Sequence, residues 1–215
     1  MNNPVQIFYN NPYFENLQIT PPFLEYLHRE ESQLRKSVIG GLAIDIGCGN
    51  GRSTAMIPEI ADLVIGIDFS ERLLDQAKTS FIGRHDMQFY LQDARSTSFG
   101  SDSFDYVIML WNTFGDLYSG RERALHEARR IVKQQGKILL SVLSDGVLQA
   151  YLELLEINKL VCEHHDENYV FLREGLVSER FSQDKLEGIF QATDLKYNIK
   201  PLTDISYWCE AYKEE

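Results

Sequence analysis

The sequence predicts an α/β fold built on a mostly parallel sheet, and three observations support this. Short apolar runs rich in β-branched residues recur along the chain, as expected for strands buried on both faces. Stretches with the apolar spacing of amphipathic helices separate these runs. The first strand run leads into Gly47, Gly49 and Gly51, a glycine loop that precedes a helical stretch.

Composition predicts one cytoplasmic domain spanning residues 1–215. The 215 residues are 44% hydrophobic, enough for one buried core. No apolar run approaches the roughly 20 residues of a membrane span, and we expect neither a secretory signal nor a membrane partner. Three cysteines without a framework spacing fit a reducing compartment. Cys162 lies near His164 and His165, but no second cluster completes a metal site, so we expect no metal.

The charge of the chain argues against nucleic acid as a partner. The formal net charge is −11 and is spread along the sequence, whereas a nucleic-acid backbone requires a basic surface. A local basic excess at residues 121–133 is interrupted by glutamates and is typical of a solvated helix face.

The glycine loop indicates a nucleotide-like ligand. It follows a predicted strand at Leu42–Ile46 and precedes a predicted helix at 52–60, whose first amides would face the ligand. Dinucleotide sites use G-x-G-x-x-G to hold a pyrophosphate. Here the spacing is G-x-G-x-G, and Asp45 stands two residues before Gly47. A carboxylate there would repel pyrophosphate and suits a ligand that carries an ammonium group.

This pattern resembles motif I of the class I S-adenosylmethionine (SAM) methyltransferases, in which Asp-x-Gly-x-Gly-x-Gly lines the methionine end of the cofactor. The resemblance implies SAM as cofactor and S-adenosylhomocysteine as product. The residues that it places beside the methionine end are Asp45, Gly47, Cys48, Gly49 and Gly51.

Two further acids stand near the ends of predicted strands. Asp68 ends the second strand at the distance where an acid can bind both ribose hydroxyls, and Phe69 would cover the adenine edge. Asp93-Ala94 follows the third strand, Met87–Leu91, and resembles the family's adenine-binding step. Asp93 could instead cap the loop that follows it.

The predicted fourth strand, residues 104–110, ends at the loop expected to face the acceptor. Met109 and Leu110 would flank the cofactor, whereas Trp111, Asn112 and Phe114 would face the substrate; Trp111 could instead pack in the core. DNA-adenine and glutamine methylases of the family carry Asn/Asp-Pro-Pro-Tyr/Phe here. This chain does not, which argues against a flat amide or base nitrogen as acceptor.

Two segments lie outside the resemblance and are interpreted as covers of the substrate side. Residues 1–39 hold an aromatic cluster and a helix that starts at Pro21-Pro22; Tyr9 and Tyr13 either reach the substrate or pack this helix onto the domain. Residues 144–181 predict a helix and then a hairpin whose turn is at 174–175. Their candidate substrate contacts, each with a structural alternative, are Tyr151, His164, His165, Tyr169 and Arg173.

The remaining elements complete the predicted topology. A helix over 119–134, stopped by Gly136, leads to a fifth strand at 137–143. A helix capped by Ser182 precedes two strands, 195–201 and 205–213, whose short connection demands antiparallel pairing. The resemblance implies a three-layer α-β-α sandwich with a seven-stranded sheet in the order 3-2-1-4-5-7-6, the last strand antiparallel.

The predicted function is in-line methyl transfer from SAM to nitrogen or oxygen of a small-molecule acceptor, mainly through proximity and orientation. No catalytic residue is assigned, because a base is needed only if the acceptor arrives protonated. The alternatives are a protein methyltransferase and a non-catalytic SAM-binding partner subunit. A further alternative is an NAD-dependent oxidoreductase, against which the extra acid and the G-x-G-x-G spacing both count. The oligomeric state, monomer or homodimer, stays open.

Overall fold

The computed structural model describes residues 8–9 and 17–214. Short 3-10 helices lie at Thr54–Glu59, Tyr118–Gly120 and Asp145–Val147. The helices and strands in chain order are α1 (Pro21–Ser37), β1 (Leu42–Ile46), β2 (Leu63–Asp68), α2 (Glu71–Ser80), β3 (Met87–Leu91), β4 (Phe104–Met109), α3 (Thr113–Asp116), α4 (Arg121–Ile131), β5 (Val132–Leu143), α5 (Leu148–Ile157), β6 (Cys162–His165), β7 (Tyr169–Leu172), β8 (Val177–Glu179), α6 (Gln183–Ala192), β9 (Leu195–Thr203) and β10 (Ser206–Lys213).

A seven-stranded sheet forms the centre of the described chain, in the order β3-β2-β1-β4-β5-β10-β9. Counted within this sheet, β9 and β10 are the sixth and seventh strands, so the predicted order is confirmed. The strand pairs from β3 through β5 are parallel, whereas β10 runs antiparallel to both of its neighbours. The two-residue interval between β9 and β10 imposes this reversal, because a parallel pair would need a crossover.

Alternation along β4 separates the two faces of the sheet. Val107 and Met109 pack in the core with α4 and α6, whereas Ile108 and Leu110 pack in the core beside the C-terminal part of α1. Successive side chains of a strand point to opposite faces, so β4 contributes to the cores on both faces of the sheet. The three-layer α-β-α arrangement is therefore confirmed.

The helix predicted at residues 52–60 is wrong in type and length. The segment forms a 3-10 helix over Thr54–Glu59, with Pro58 inside it. Proline lacks the amide hydrogen that an α-helix needs and its ring collides with the carbonyl four residues earlier, so the tighter form is favoured.

The predicted boundary between the 119–134 helix and the fifth strand also lies elsewhere. Helix α4 ends at Ile131, and β5 starts at once with Val132 in an extended conformation. Gly136 therefore lies within β5 rather than stopping the helix. A Cβ at Gly136 would lie 2.7 Å from the Asp105 carbonyl oxygen, so close packing against β4 requires the glycine.

The 144–181 segment carries one strand more than predicted. Helix α5 is followed by a three-stranded antiparallel sheet, β6-β7-β8, instead of a single hairpin. A separate apolar cluster joins α5 and this small sheet to Phe8 and to the first turns of α1. Among the described residues no helix combines the length and the apolar character that crossing a bilayer requires.

Candidate functional site

A cleft of about 270 Å³ opens at the carboxyl ends of β1, β2 and β4. This is the edge at which open α/β sheets bind their ligands. The residues on its wall that the sequence predicts for the cofactor or the substrate are Tyr9, Gly47, Cys48, Gly49, Asp68, Phe69, Leu110 and Trp111.

The glycines of the loop have different roles. Gly49, at φ +54°, would bring an added Cβ no closer than 3.8 Å to any neighbour, so its surface faces the open cleft. Gly51, at φ +87°, lies off the cleft wall, and an added Cβ would come within 2.7 Å of the Phe81 ring. The loop packs so closely on Phe81 that this position requires a glycine. The predicted contact of Gly51 with the cofactor stays a prediction.

Asp45 lies beneath the glycine loop rather than on the cleft wall. Its side chain is buried and accepts hydrogen bonds from Ser53 Oγ at 2.8 Å and Thr54 Oγ1 at 2.7 Å. Burial raises the pKa of this carboxyl to about 6, although the two hydroxyl donors oppose the shift. The structure therefore gives Asp45 the role of fixing the residues that follow the loop.

Asp68 is buried at the end of β2 and borders the cleft. One carboxylate oxygen accepts the Gly49 amide at 2.9 Å, and the other accepts the Ser70 amide at 2.8 Å. Burial raises the pKa of Asp68, opposed by these amide donors. The Phe69 amide is a third backbone donor to this carboxylate. A carboxylate has about four acceptor positions, so Asp68 can still accept a ligand hydroxyl while it holds the loop in place.

Besides Asp45 and Gly51, three more predicted cofactor residues do not line the cleft. Asp93 accepts the Arg95 amide at 2.8 Å and pairs with the Arg95 guanidinium at 2.6 Å, which is the loop-capping alternative. Ala94 packs against the main core. Met109 is fully buried on the α4 side of the sheet, because strand alternation turns Leu110 and not Met109 toward the cleft.

A second, smaller cavity of about 50 Å³ adjoins the cleft. Its wall comes from Phe8 and Tyr9, from α1, from the loop after β4 and from the 144–181 segment. The predicted substrate residues on this wall are Tyr9, Trp111, Asn112 and Tyr151, and the other side chains around it are Phe8, Leu17, Phe23, Tyr26, Asp116, Leu143, Leu154, Leu155, Leu160, Leu172, Leu176 and Ser178.

The structure places the other predicted substrate residues away from both cavities. Phe114 is fully buried in the core and stacks on Phe181 at 5.8 Å between ring centroids. Along β7 the inward positions are Val170 and Leu172, so Tyr169 points to the other face and Arg173, just beyond the strand, is exposed. Tyr13 lies outside the described residues.

Asp116, which the sequence analysis did not single out, is located where the two cavities meet. Its Oδ1 accepts Ser178 Oγ at 2.7 Å and Asn112 Nδ2 at 3.1 Å, and its Oδ2 accepts the Tyr9 hydroxyl. Burial raises the pKa of Asp116 to about 6, opposed by these three donors. Its position at the end of the Trp111 loop was the signal available in the sequence.

Glu30 of α1 is a second buried acid to which the sequence assigns no role. Its fully buried carboxylate accepts the Trp111 amide at 2.7 Å and the Ser141 hydroxyl, and it lies 3.3 Å from the Arg52 guanidinium. A carboxylate on the apolar stripe of an amphipathic helix was the available signal, because a buried charge needs partners.

Trp111 satisfies both interpretations that the sequence left open. Its ring stacks on Tyr26 at 5.3 Å and carries the Arg52 guanidinium 5.6 Å from its centroid, so it is packed on its neighbours. It also lines both cavities. Its backbone is left-handed at φ +52°, and the Glu30 carboxylate holds its amide.

Comparison with known proteins agrees with this geometry. Residues 43–136 match a family described as a methyltransferase domain. These residues run from β1 to the middle of β5 and include the glycine loop, Asp68 and Asp116. Residues 43–136 are those of a methyltransferase domain.

Curated proteins similar to this chain are also named as methyltransferases. The chain is 30% identical over 105 residues to a demethylmenaquinone methyltransferase of Clavibacter sepedonicus, covering 48% of this chain and 41% of that protein. It is 26% identical over 148 residues to a demethylmenaquinone methyltransferase of Corynebacterium kroppenstedtii, covering 64% and 60%. The chain thus matches about half the length of these curated relatives.

Solved structures share the fold at lower identity. The complex of DhpI with S-adenosylhomocysteine superposes with a TM-score of 0.74 and 16% identity, over 98% of this chain and 95% of that one. The likeness covers more of the chain than residues 43–136 and shows a shared fold.

Proposed function

We propose that this protein transfers a methyl group from SAM to nitrogen or oxygen of a small molecule. The observation that carries the proposal is the pair of joined cavities at the carboxyl edge of the sheet. The larger one is bordered by Gly49 and Asp68, and the smaller one is lined mainly by aromatic and aliphatic side chains. A nucleoside cofactor and a separate acceptor need two such compartments in contact.

The residues on the larger cleft fit SAM. The surface of Gly49 would let the methionine end approach the backbone, and Asp68, which borders the cleft, keeps an acceptor position for a ribose hydroxyl. Phe69 would cover the adenine edge, and Asp93 with Ala94 stays our predicted adenine contact. The cofactor supplies a methyl group on a positively charged sulfur, and no nucleophile of the protein is required.

The second cavity supports a small acceptor. Of the described residues that line it, seven come from the 144–181 segment, through α5, the loop after it and the small sheet. Tyr9 and α1 contribute further lining residues. Walls from several segments can orient a small acceptor beside the cofactor, whereas a protein substrate would need an open rim. The curated relatives are named for demethylmenaquinone, a small molecule.

Thermal unfolding tests the cofactor assignment. We expect SAM and S-adenosylhomocysteine to raise the Tm, because a ligand that binds the folded state stabilises it. Asp68→Ala should abolish that shift, since it removes the carboxylate that orders Gly49 and faces the ribose. Gly49→Val should abolish it as well, because a side chain would fill the cleft at a left-handed position.

Asp86→Ala serves as the matched control, because Asp86 is an exposed carboxylate paired with Arg84 far from the cleft. It should keep the full shift. Stabilisation by NAD, with none by SAM, would contradict the proposal and favour an oxidoreductase.

A further inference from the structure

Among the residues that the structure describes, four line both cavities, and Asp116 is the one carboxylate of these four. The others are Tyr9, Leu17 and Trp111. A group that reaches both compartments lies where the acceptor atom must meet the methyl group. Asp116 is held there by three hydrogen-bond donors from three different parts of the chain.

The hydrogen bonds of Asp116 leave one oxygen available. Oδ1 receives both Asn112 and Ser178, whereas Oδ2 receives the Tyr9 hydroxyl alone among the described partners. A carboxylate oxygen accepts two hydrogen bonds, so Oδ2 can take a second donor from an acceptor molecule. Tyr9 would then orient the oxygen that receives the proton.

The wall of the smaller cavity defines the chemistry of the acceptor. Away from the Asp116 end it consists of aromatic rings and leucines, and no lysine, arginine or histidine of the described chain contributes to it. An acceptor with a carboxylate or phosphate would meet no counter-charge and would face Asp116. A neutral, flat, apolar molecule with a single polar group at one end fits this surface.

We infer that Asp116 is the catalytic base for an aromatic acceptor whose single hydroxyl lies between the two cavities. This inference rests on the proposed function, since it assigns the acceptor compartment of the same site. A phenolic hydroxyl is neutral in solution at pH 7 and weakly nucleophilic, so its methylation gains from proton removal.

The step balances in charge and atoms. The acceptor oxygen forms a bond to the methyl carbon while the carbon–sulfur bond breaks and its electron pair remains on sulfur. The hydroxyl proton passes to Asp116 Oδ2, which becomes a neutral carboxylic acid. The positive charge of the sulfonium and the negative charge of the carboxylate disappear together, which suits a buried site.

Phenols of different acidity test the base. Wild-type protein should methylate phenol and 4-nitrophenol on oxygen in the presence of SAM. Asp116→Asn should slow methylation of phenol about 100-fold or more, the usual contribution of a positioned base. The same variant should lose far less with 4-nitrophenol at pH 8, because that acceptor arrives largely ionised and needs no base.

Two controls separate the base from a structural role. Asp145→Asn makes the same change at an exposed carboxylate and should leave both rates unchanged. The Tm increase with S-adenosylhomocysteine should be the same for Asp116→Asn as for wild type, since this variant keeps an amide able to bond Tyr9 and Ser178.

Each contrary result has a distinct meaning. An equal loss with both phenols would overturn the assignment of Asp116 as base. Cofactor binding without methylation of any phenol, or methylation of aniline alone, would overturn the hydroxyl-bearing acceptor. Absence of the cofactor-dependent Tm increase in wild type would instead refute the proposed function.

Discussion

Asp45 and Asp68 are both buried acids beside the glycine loop, yet they differ in what they face. Asp68 borders the cleft and uses backbone amides as donors, whereas Asp45 is enclosed and uses the Ser53 and Thr54 hydroxyls. Both acids stand at positions where the motif leads us to expect a contact with the cofactor. The motif does not predict which acid reaches the ligand, because that depends on the turn made by residues 49–54.

Burial of Asp45 predicts a measurable pH dependence of stability. Its pKa is about 6 in the folded protein against a usual 3.8, so the folded state holds this proton more tightly than the unfolded chain. The resulting stabilisation is complete below pH 4 and is lost as the pH rises through 6. An asparagine at this position cannot ionise, so the Asp45→Asn variant does not lose this stabilisation as the pH rises. From pH 4 to pH 7 its free energy of unfolding should therefore increase by up to roughly 3 kcal/mol relative to that of wild type.

Urea unfolding of both proteins across that range checks the prediction. Asp86→Asn is the control, because the neighbouring Arg84 lowers the pKa of Asp86, and its difference from wild type should stay flat above pH 5. A difference between Asp45→Asn and wild type that does not change with pH would show that Asp45 keeps an ordinary pKa.

At the scale of single elements, α1 is joined to the site through Glu30. The sequence predicts the helix that starts at Pro21-Pro22. It does not predict that the carboxylate reaches the Trp111 amide and Arg52, since these partners come from distant parts of the chain. Local periodicity carries no information about such contacts.

Removal of Glu30 should therefore weaken more than its own helix. We expect Glu30→Ala to lower the free energy of unfolding by about 2–4 kcal/mol, because the Trp111 amide and the Ser141 hydroxyl lose a buried partner. Glu25→Ala breaks an exposed pair with Arg29 on the same helix and should cost less than about 0.5 kcal/mol. Chemical denaturation measures both; equal losses would contradict the anchoring role.

For other elements the sequence predicts the positions of the strands better than the boundaries of the helices. Strand positions followed from apolar runs, because both faces of the central strands are buried. Helix ends were less predictable: Pro58 converts one segment to a 3-10 helix, and the close contact between Gly136 and β4 extends β5 back to Val132. The first outcome follows from the chemistry of proline, and the second depends on packing against β4.

Across the whole molecule, the order of the sheet was predictable and the acceptor side was not. The order follows from a resemblance carried by the glycine loop and from the short turn before β10. The acceptor cavity brings together Phe8, α1, α5 and the small sheet, which are far apart in sequence and outside that resemblance. Tyr151 was predicted on this wall, whereas Tyr169 and Arg173 fall on the outer face of β7.

The location of Trp111 gives the protein an optical reporter of its own. The chain contains two tryptophans. Trp111 lines both cavities, whereas Trp208 is fully buried in the core. Ligands in either compartment should therefore change the fluorescence of Trp111 and leave the emission of Trp208 constant. Titration with S-adenosylhomocysteine should give a saturable signal that Trp111→Phe abolishes, and a signal that persists in that variant would place the ligand elsewhere.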